Sequence, residues 1–433
     1  MPGLPRGLLR LDGRSALRPR GAAHDPRDAR HRHRGGADRR RARAVRLSRR
    51  LRRPLVCDRP PAGDDHRGRA AGRRHPAHRA PAAPVPRRPR RTHRVTARSK
   101  WLLIAALALV ALVAVGGVAA YAWVQYQARA SAPSGVETGG ASGWGTSDSI
   151  VFRNTAIGQG YGLVASVPLG EPAGPRALTS TACDRVDATP TEFVCLRSER
   201  GIVPSYTGTV YGLDGQTIAQ WPIPGVPSRT RFSPDGSLVA TTAFVTGHSY
   251  ATVGFSTETL IRRANGDSIG NLEQFALIID GAQVAPVDRN LWGVTFVDDN
   301  VFYATAGTGG KTYLVKGDIA ARTLTSVAEG VECPSLSPDG TRIAFKRVTA
   351  GTDATTHWTP AVLDLGSGAI SLLPEDRSID DQIEWLDDST ILYGMPRDGV
   401  AGDSDVWRLA ADGSGAPAVF IEHAWSPSVV RAR

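Results

Sequence analysis

Two separated stretches of the chain share one pattern: Arg231-Phe232-Ser233-Pro234-Asp235-Gly236-Ser237-Leu238-Val239-Ala240 and Ser335-Leu336-Ser337-Pro338-Asp339-Gly340-Thr341-Arg342-Ile343-Ala344-Phe345. Each reads as the apolar end of a strand, a Pro-Asp-Gly turn, and a second strand of alternating character. Proline fixes φ at the first corner, aspartate bonds back to nearby backbone, and glycine takes the conformation that strains other residues. A chain that repeats this hairpin repeats the sheet around it.

Degenerate copies follow from the template. Phe296-Val297-Asp298-Asp299-Asn300-Val301-Phe302-Tyr303 and Trp385-Leu386-Asp387-Asp388-Ser389-Thr390-Ile391-Leu392-Tyr393 keep the apolar position, the polar turn and the aromatic-ending strand. Val186 to Cys195 forms an earlier copy, and Trp425-Ser426-Pro427-Ser428 stops after its turn. The leading apolar positions 186, 232, 296, 336, 385 and 425 are spaced 46, 64, 40, 49 and 40 residues apart. A period of about 40–50 with four strands per unit marks a β-propeller. Second hairpins follow in several units, such as 312–315 with 324–327 and 361–365 with 370–373. The broken last copy lacks its partners, while 150–153 and 162–167 are strands without a leading hairpin. Joining the two ends completes one shared blade and closes a ring with five internal ones. The fold class expected is all-β: a six-bladed β-propeller with strand closure between its ends.

A second feature precedes the repeats. Trp101 to Val124 carries no charge, and as a helix rising 1.5 Å per residue it exceeds a hydrocarbon core of about 30 Å. Arg94, Arg98 and Lys100 before it outweigh Arg129 after it, which places the N-terminus in the cytoplasm and the propeller outside. Ala120-Tyr121-Ala122 and Ala128-Arg129-Ala130 resemble signal-cleavage sites, but the run exceeds a signal core of about 7–15 residues and reads as an uncleaved signal anchor. The domains expected are a disordered Arg/Pro-rich segment (1–94), a cytoplasmic tail and transmembrane signal anchor (95–127), a flexible linker (128–145) and an extracytoplasmic propeller (146–433).

The net charge of +12 would suggest a nucleic-acid partner. It divides, however, into +23 over residues 1–98 and −11 over the rest. Residues 1–94 lack Ile, Phe, Tyr, Trp, Asn, Gln, Lys and Glu, so they cannot form a core. They read either as a disordered cytoplasmic arm or as upstream sequence translated from a misplaced start, with Val95 the true beginning. The second reading is favoured because 29 arginines occur there without one lysine. No nucleic-acid partner is expected.

The Ser-Pro-Asp-Gly hairpins at 233–236 and 337–340 resemble the repeats of TolB-type β-propellers, and the region from about 145 onward is similar to actinobacterial TolB-like translocation proteins. The resemblance implies an envelope protein that binds other envelope or exported proteins. A helix and stalk stand where the Gram-negative family member carries an α/β domain. A role in the same kind of trans-envelope complex does not follow.

Gly307-Thr308-Gly309-Gly310-Lys311-Thr312 approaches a phosphate loop, but that motif needs glycine at 305, where Thr305 stands, and it must open a helix. It reads as a hairpin turn. Gly247-His248-Ser249-Tyr250-Ala251 approaches a nucleophile elbow without its strand-turn-helix setting, and reads as a polar loop cluster. Glu332, Asp380, Asp381 and Glu384 gather near the starts of inner strands, facing the channel as a Ca²⁺ or basic-partner site or as solvated strand ends, with Arg229 and Arg231 to balance them. The candidate binding face therefore comprises Arg229, Arg231, His248, Tyr250, Glu332, Asp380, Asp381 and Glu384. Cys183 and Cys195 lie symmetrically about the turn at Thr189 and are the expected disulfide, leaving Cys333 unpaired. No cofactor or catalytic residue is assigned. The reading is a membrane-tethered scaffold or protein-binding propeller, and the competing one is a propeller hydrolase or lactonase with a metal at the channel mouth.

Overall fold

The computed structural model describes residues 96–139, 144–245, 256–352 and 355–432. The basic segment 1–94 lies outside them, as do His248, Ser249 and Tyr250.

One helix, Ala97–Ala130, opens the described chain. It contains no β-branched run long enough to oppose helix formation and no proline, and none of its residues is buried. It extends beyond the apolar run at both ends, through the polar turn Gln125–Ala130. Its length and composition suffice to cross a membrane.

Six antiparallel blades follow, each led by an inner strand. Blade 1 spans 185–222, blade 2 226–271, blade 3 290–329, blade 4 332–372 and blade 5 384–421. Blade 6 joins the two ends: inner strand Ala424–Val430 pairs with Ser149–Asn154, in the register Ser149 to Val430 and Ile150 to Val429, followed by Leu163–Pro168 and Arg176–Ala182. Neighbouring inner strands touch in sequence around the ring and close between blades 5, 6 and 1. This is the six-bladed architecture with terminal strand closure that the repeats predict.

The Pro-Asp-Gly turns show why the repeat is retained in blades 2 and 4. Asp235 Oδ1 accepts from Ser233 Oγ at 2.5 Å and from the Ser237 N–H at 3.0 Å, while Ser233 Oγ accepts from the Leu238 N–H at 2.9 Å. Asp339 and Ser337 repeat the arrangement with Thr341 and Arg342. Gly236 and Gly340 have φ of +79° and +71°. The segment from 307 to 312 is the hairpin between Val301–Thr308 and Lys311–Asp318, as the missing glycine indicated.

Two features depart from the sequence reading. The segment 128–145 is not wholly a free linker. Thr138–Gly139 pairs in parallel with Arg176–Ala177 at the outer edge of blade 6, and Trp144 is buried edge-on against Phe193 at 5.6 Å. An indole at that position gains more from burial than the linker gains from freedom. The 64-residue interval between copies is filled in part by an insertion before blade 3. There Ala276–Ile279 adds in parallel to the outer strand Thr323–Glu329 and Ala282–Val284 adds beyond it, making six strands. Phe275 and Leu277 bury themselves in this extension.

Candidate functional site

The repeat places a channel-facing residue just before each leading apolar position. In blades 1, 2 and 5 these are Arg185, Arg231 and Glu384, and sequence register alone would align them. Around them the structure brings together six of the eight predicted site residues: Arg229, Arg231, Glu332, Asp380, Asp381 and Glu384. Arg185, Asp187, Lys346 and Gln382 complete the cluster and were not anticipated.

The cluster is paired. Asp381, fully buried, accepts from Arg185 Nη1 at 2.5 Å and from the Gly394 N–H at 2.9 Å. Arg185 also lies over the Trp425 ring at 4.9 Å, and burial pulls its guanidinium below the usual arginine range, with Asp381 opposing. Asp380 Oδ1 accepts from Lys346 Nζ at 2.6 Å and from Arg229 Nη2 at 3.3 Å. Partial desolvation by the channel walls works against its charge, yet Lys346 and Arg229 outweigh this and hold the carboxyl below its ordinary value. Both cations are buried while the Asp380 side chain is 67% exposed, so Asp380 is the accessible end of that group. Glu332 accepts from Trp358 Nε1 at 3.2 Å, and burial raises its carboxyl despite Lys346 nearby.

Deeper along the axis, Arg231 Nη1 meets Glu384 Oε2 at 2.9 Å and Nη2 donates to the Ile383 carbonyl at 2.9 Å. Asp187 Oδ2 accepts from the Phe232 N–H at 2.7 Å. Burial pushes Glu384 up to about 7, with Arg231 pulling it down and Asp187 pushing it further up. Asp187 is also raised by burial, against the pull of Arg231.

In a six-membered ring blade 2 stands opposite blade 5. Arg229 and Arg231 of blade 2 nevertheless reach Asp380, Ile383 and Glu384 directly, and Gln382 Nε2 donates to the Thr230 carbonyl at 3.1 Å. The segment 380–384 therefore crosses the channel and closes it. Charges are removed from water here at substantial cost, which the pairing offsets. The carboxylates are consumed by guanidinium, ammonium, indole and backbone donors, an arrangement that leaves no open oxygen cage. Among the described residues no group of three or more His, Cys, Asp or Glu side chains is placed to hold a metal ion.

Beyond the closure, at the Pro-Asp-Gly end, opens a funnel of about 540 Å³. All six blades line it: Asp187 and Pro190, Arg231 and Pro234, Thr295 and Val297, Leu336 and Asp339, Glu384, then Ser428 and Arg431. Its floor is charged and its rim mixes proline, apolar and polar residues.

Cys183 and Cys195 are joined, with Cα atoms 5.4 Å apart, and Cys333 is buried and free. His423 Nδ1 contacts Asp403 Oδ2 at 2.7 Å on blade 6, where Thr155 Oγ1 donates to the other Asp403 oxygen. Here the aspartate, not the imidazole, meets the hydroxyl, unlike an activated nucleophile.

No protein-family model matches the chain, and no curated protein matches it. Among solved structures it is similar to TolB of Acinetobacter baumannii, with a TM-score of 0.46 and 15% identity, over 65% of this chain and 66% of that one. A puromycin-hydrolyzing peptidase of Mycobacterium tuberculosis gives 0.40 and 13%, over 68% of this chain and 46% of that one. A nidogen/laminin complex gives 0.43 and 12%, over 65% and 98%. The chain thus spans less than two thirds of the length of the first two.

Proposed function

We propose that the protein is a membrane-tethered, extracytoplasmic propeller that binds a segment of another envelope or exported protein. The observation that carries this reading is the funnel: one opening of about 540 Å³ to which every blade contributes, closed at its base by paired charges. A blind, six-sided recess of mixed rim and charged floor suits capture of a polypeptide segment, whose backbone and side chains find donors, acceptors and apolar contacts together. The helix Ala97–Ala130 holds that recess at the membrane. The charge balance after residue 98, with the basic excess confined upstream, favours a protein partner over nucleic acid.

The test is a photo-crosslinking residue at Pro338, on the funnel wall, compared with one at Ser367, in the exposed outer turn of blade 4. In native membranes the Pro338 probe should give a discrete protein adduct that the Ser367 probe does not. Equal adducts at both positions, or none at Pro338, would remove the funnel from binding.

A further inference from the structure

The helix does not end free of the propeller. The Gln159 N–H donates to the Ala132 carbonyl at 2.9 Å, two residues past the helix. Gly158, with φ +119°, permits this approach: a Cβ there would stand 2.6 Å from the same carbonyl. Tyr126, Arg129 and Ala130 also line a recess with Ile157 and Tyr161. Residues 155–162 connect the second and third strands of blade 6. A helix that leaves the bilayer at this point holds that face of the ring beside it.

The second strands run alike around the ring, so the described second-to-third strand connections lie toward the same face. On that face the blades flanking the helix expose apolar side chains. Blade 6 offers Ile157 and Tyr161, whose hydroxyl donates to the Gly402 carbonyl of blade 5 at 2.9 Å. Blade 5 offers Val400. Blade 1 offers Ile202, fully exposed, and Val203, 82% exposed, at the tip of the connection 200–204. Consecutive blades thus present apolar tips toward the side from which the helix arrives, and among the described residues nothing in the propeller covers them. Such tips lose free energy in water and gain it at a lipid interface.

We infer that the second-to-third connections of blades 5, 6 and 1 form a lipid-contacting face, with Ile202 and Val203 seated in the bilayer interface. The funnel, at the other end of the ring axis, then faces away from the membrane. This rests on the tethering proposed above, and the test separates the two.

The full chain carrying Cys57→Ser is reconstituted in vesicles of phosphatidylethanolamine and phosphatidylglycerol. A single polarity-sensitive label is attached to the folded protein, in which Cys333 is buried and Cys183 is joined to Cys195, at Ile202→Cys or, as the far-face control, at Asp339→Cys. Retention after an alkaline wash reports the anchor; quenching by nitroxide-bearing lipid reports contact. The expected result is retention of both proteins, with a blue-shifted, lipid-quenched label at 202 and an unquenched one at 339. A labelled Val203→Asp variant should stay in the vesicles and lose most of the quenching at 202. Retention with equal or absent quenching at the two sites would overturn the lipid-facing assignment while leaving the anchor intact. Loss of both proteins in the wash would overturn the anchor and this inference with it.

Discussion

Replacing Arg231 with methionine tests the account of the channel closure. In the native protein burial raises Glu384 to about 7, above its ordinary value, so between roughly pH 4.5 and 7 the folded state holds a proton that the unfolded chain has released. Stability from this group is full below the unfolded value and falls as pH rises toward the folded one. Arg231 opposes that loss from 2.9 Å and also holds the Ile383 carbonyl. Arg231→Met keeps much of the stem's volume but removes the cation between Glu384 and Asp187. At pH 5, where Glu384 is already protonated, the cost is a hydrogen bond, about 1 kcal/mol. At pH 8 the variant must keep Glu384 protonated about one pH unit above its native value of about 7, which adds about 1.4 kcal/mol, so the cost rises to about 2–3 kcal/mol. At roughly 2 °C per kcal/mol for a domain of this size, the melting temperature should fall about 4–6 °C at pH 8 and about 2 °C at pH 5. Thermal unfolding followed by circular dichroism at both pH values reads this directly. Adding Glu384→Gln should recover most of the pH 8 loss. An equal loss at pH 5 and pH 8, or no recovery by the second substitution, would refute the reasoning.

Three further outcomes follow from local geometry. Cys195→Ser should cost about 3 kcal/mol, the loop entropy of a closure over 12 residues, and dithiothreitol should destabilise the native protein but not the variant in denaturant titrations. Gly394→Ala should cost about 1–3 kcal/mol by overpacking, because a Cβ there would lie 2.4 Å from Trp425 and 2.6 Å from Asp381 Oδ2; an unchanged urea midpoint would contradict it. Asp339, held down to about 2 chiefly by the Ser337 hydroxyl and then by the donors of Thr341, contributes stability that is full above its ordinary value and lost as pH falls toward 2. Asp339→Asn should therefore flatten the acid limb of the stability curve between pH 4 and 2, and an identical limb would argue against the turn's role.

The hairpins were legible because their determinants are local: Ser233, Asp235 and Gly236 satisfy one another within five residues, and any reader of turn chemistry meets the same signals at 337–340. Closure of the ring was legible from incompleteness, since Ile150–Arg153 and the strand after it lack a leading strand and Ala424–Val430 lacks strands to follow it. The parallel addition of Ala276–Ile279 to Thr323–Glu329 was not, because that pairing joins strands more than 40 residues apart and its short alternating run carries no turn that points to the partner. Trp144 escaped for a related reason: its neighbours are Gly and Ser, and only its contact with Phe193 explains its burial. In the channel, the acidic residues stood out by clustering at 380–384. Arg185 was hidden by a degenerate turn in blade 1, and Lys346 by its place on a second strand, from which it reaches Asp380 across the Trp358 ring.

The central claim is that the helix carries a closed ring outside the membrane with its funnel open to the exterior. Labelling intact cells with a membrane-impermeant maleimide, in the Cys57→Ser background with Asp339→Cys, tests it most directly. The account predicts full labelling at 339 before lysis, in protein that remains in the membrane fraction. Labelling that appears only after lysis would place the propeller on the other side and contradict the account.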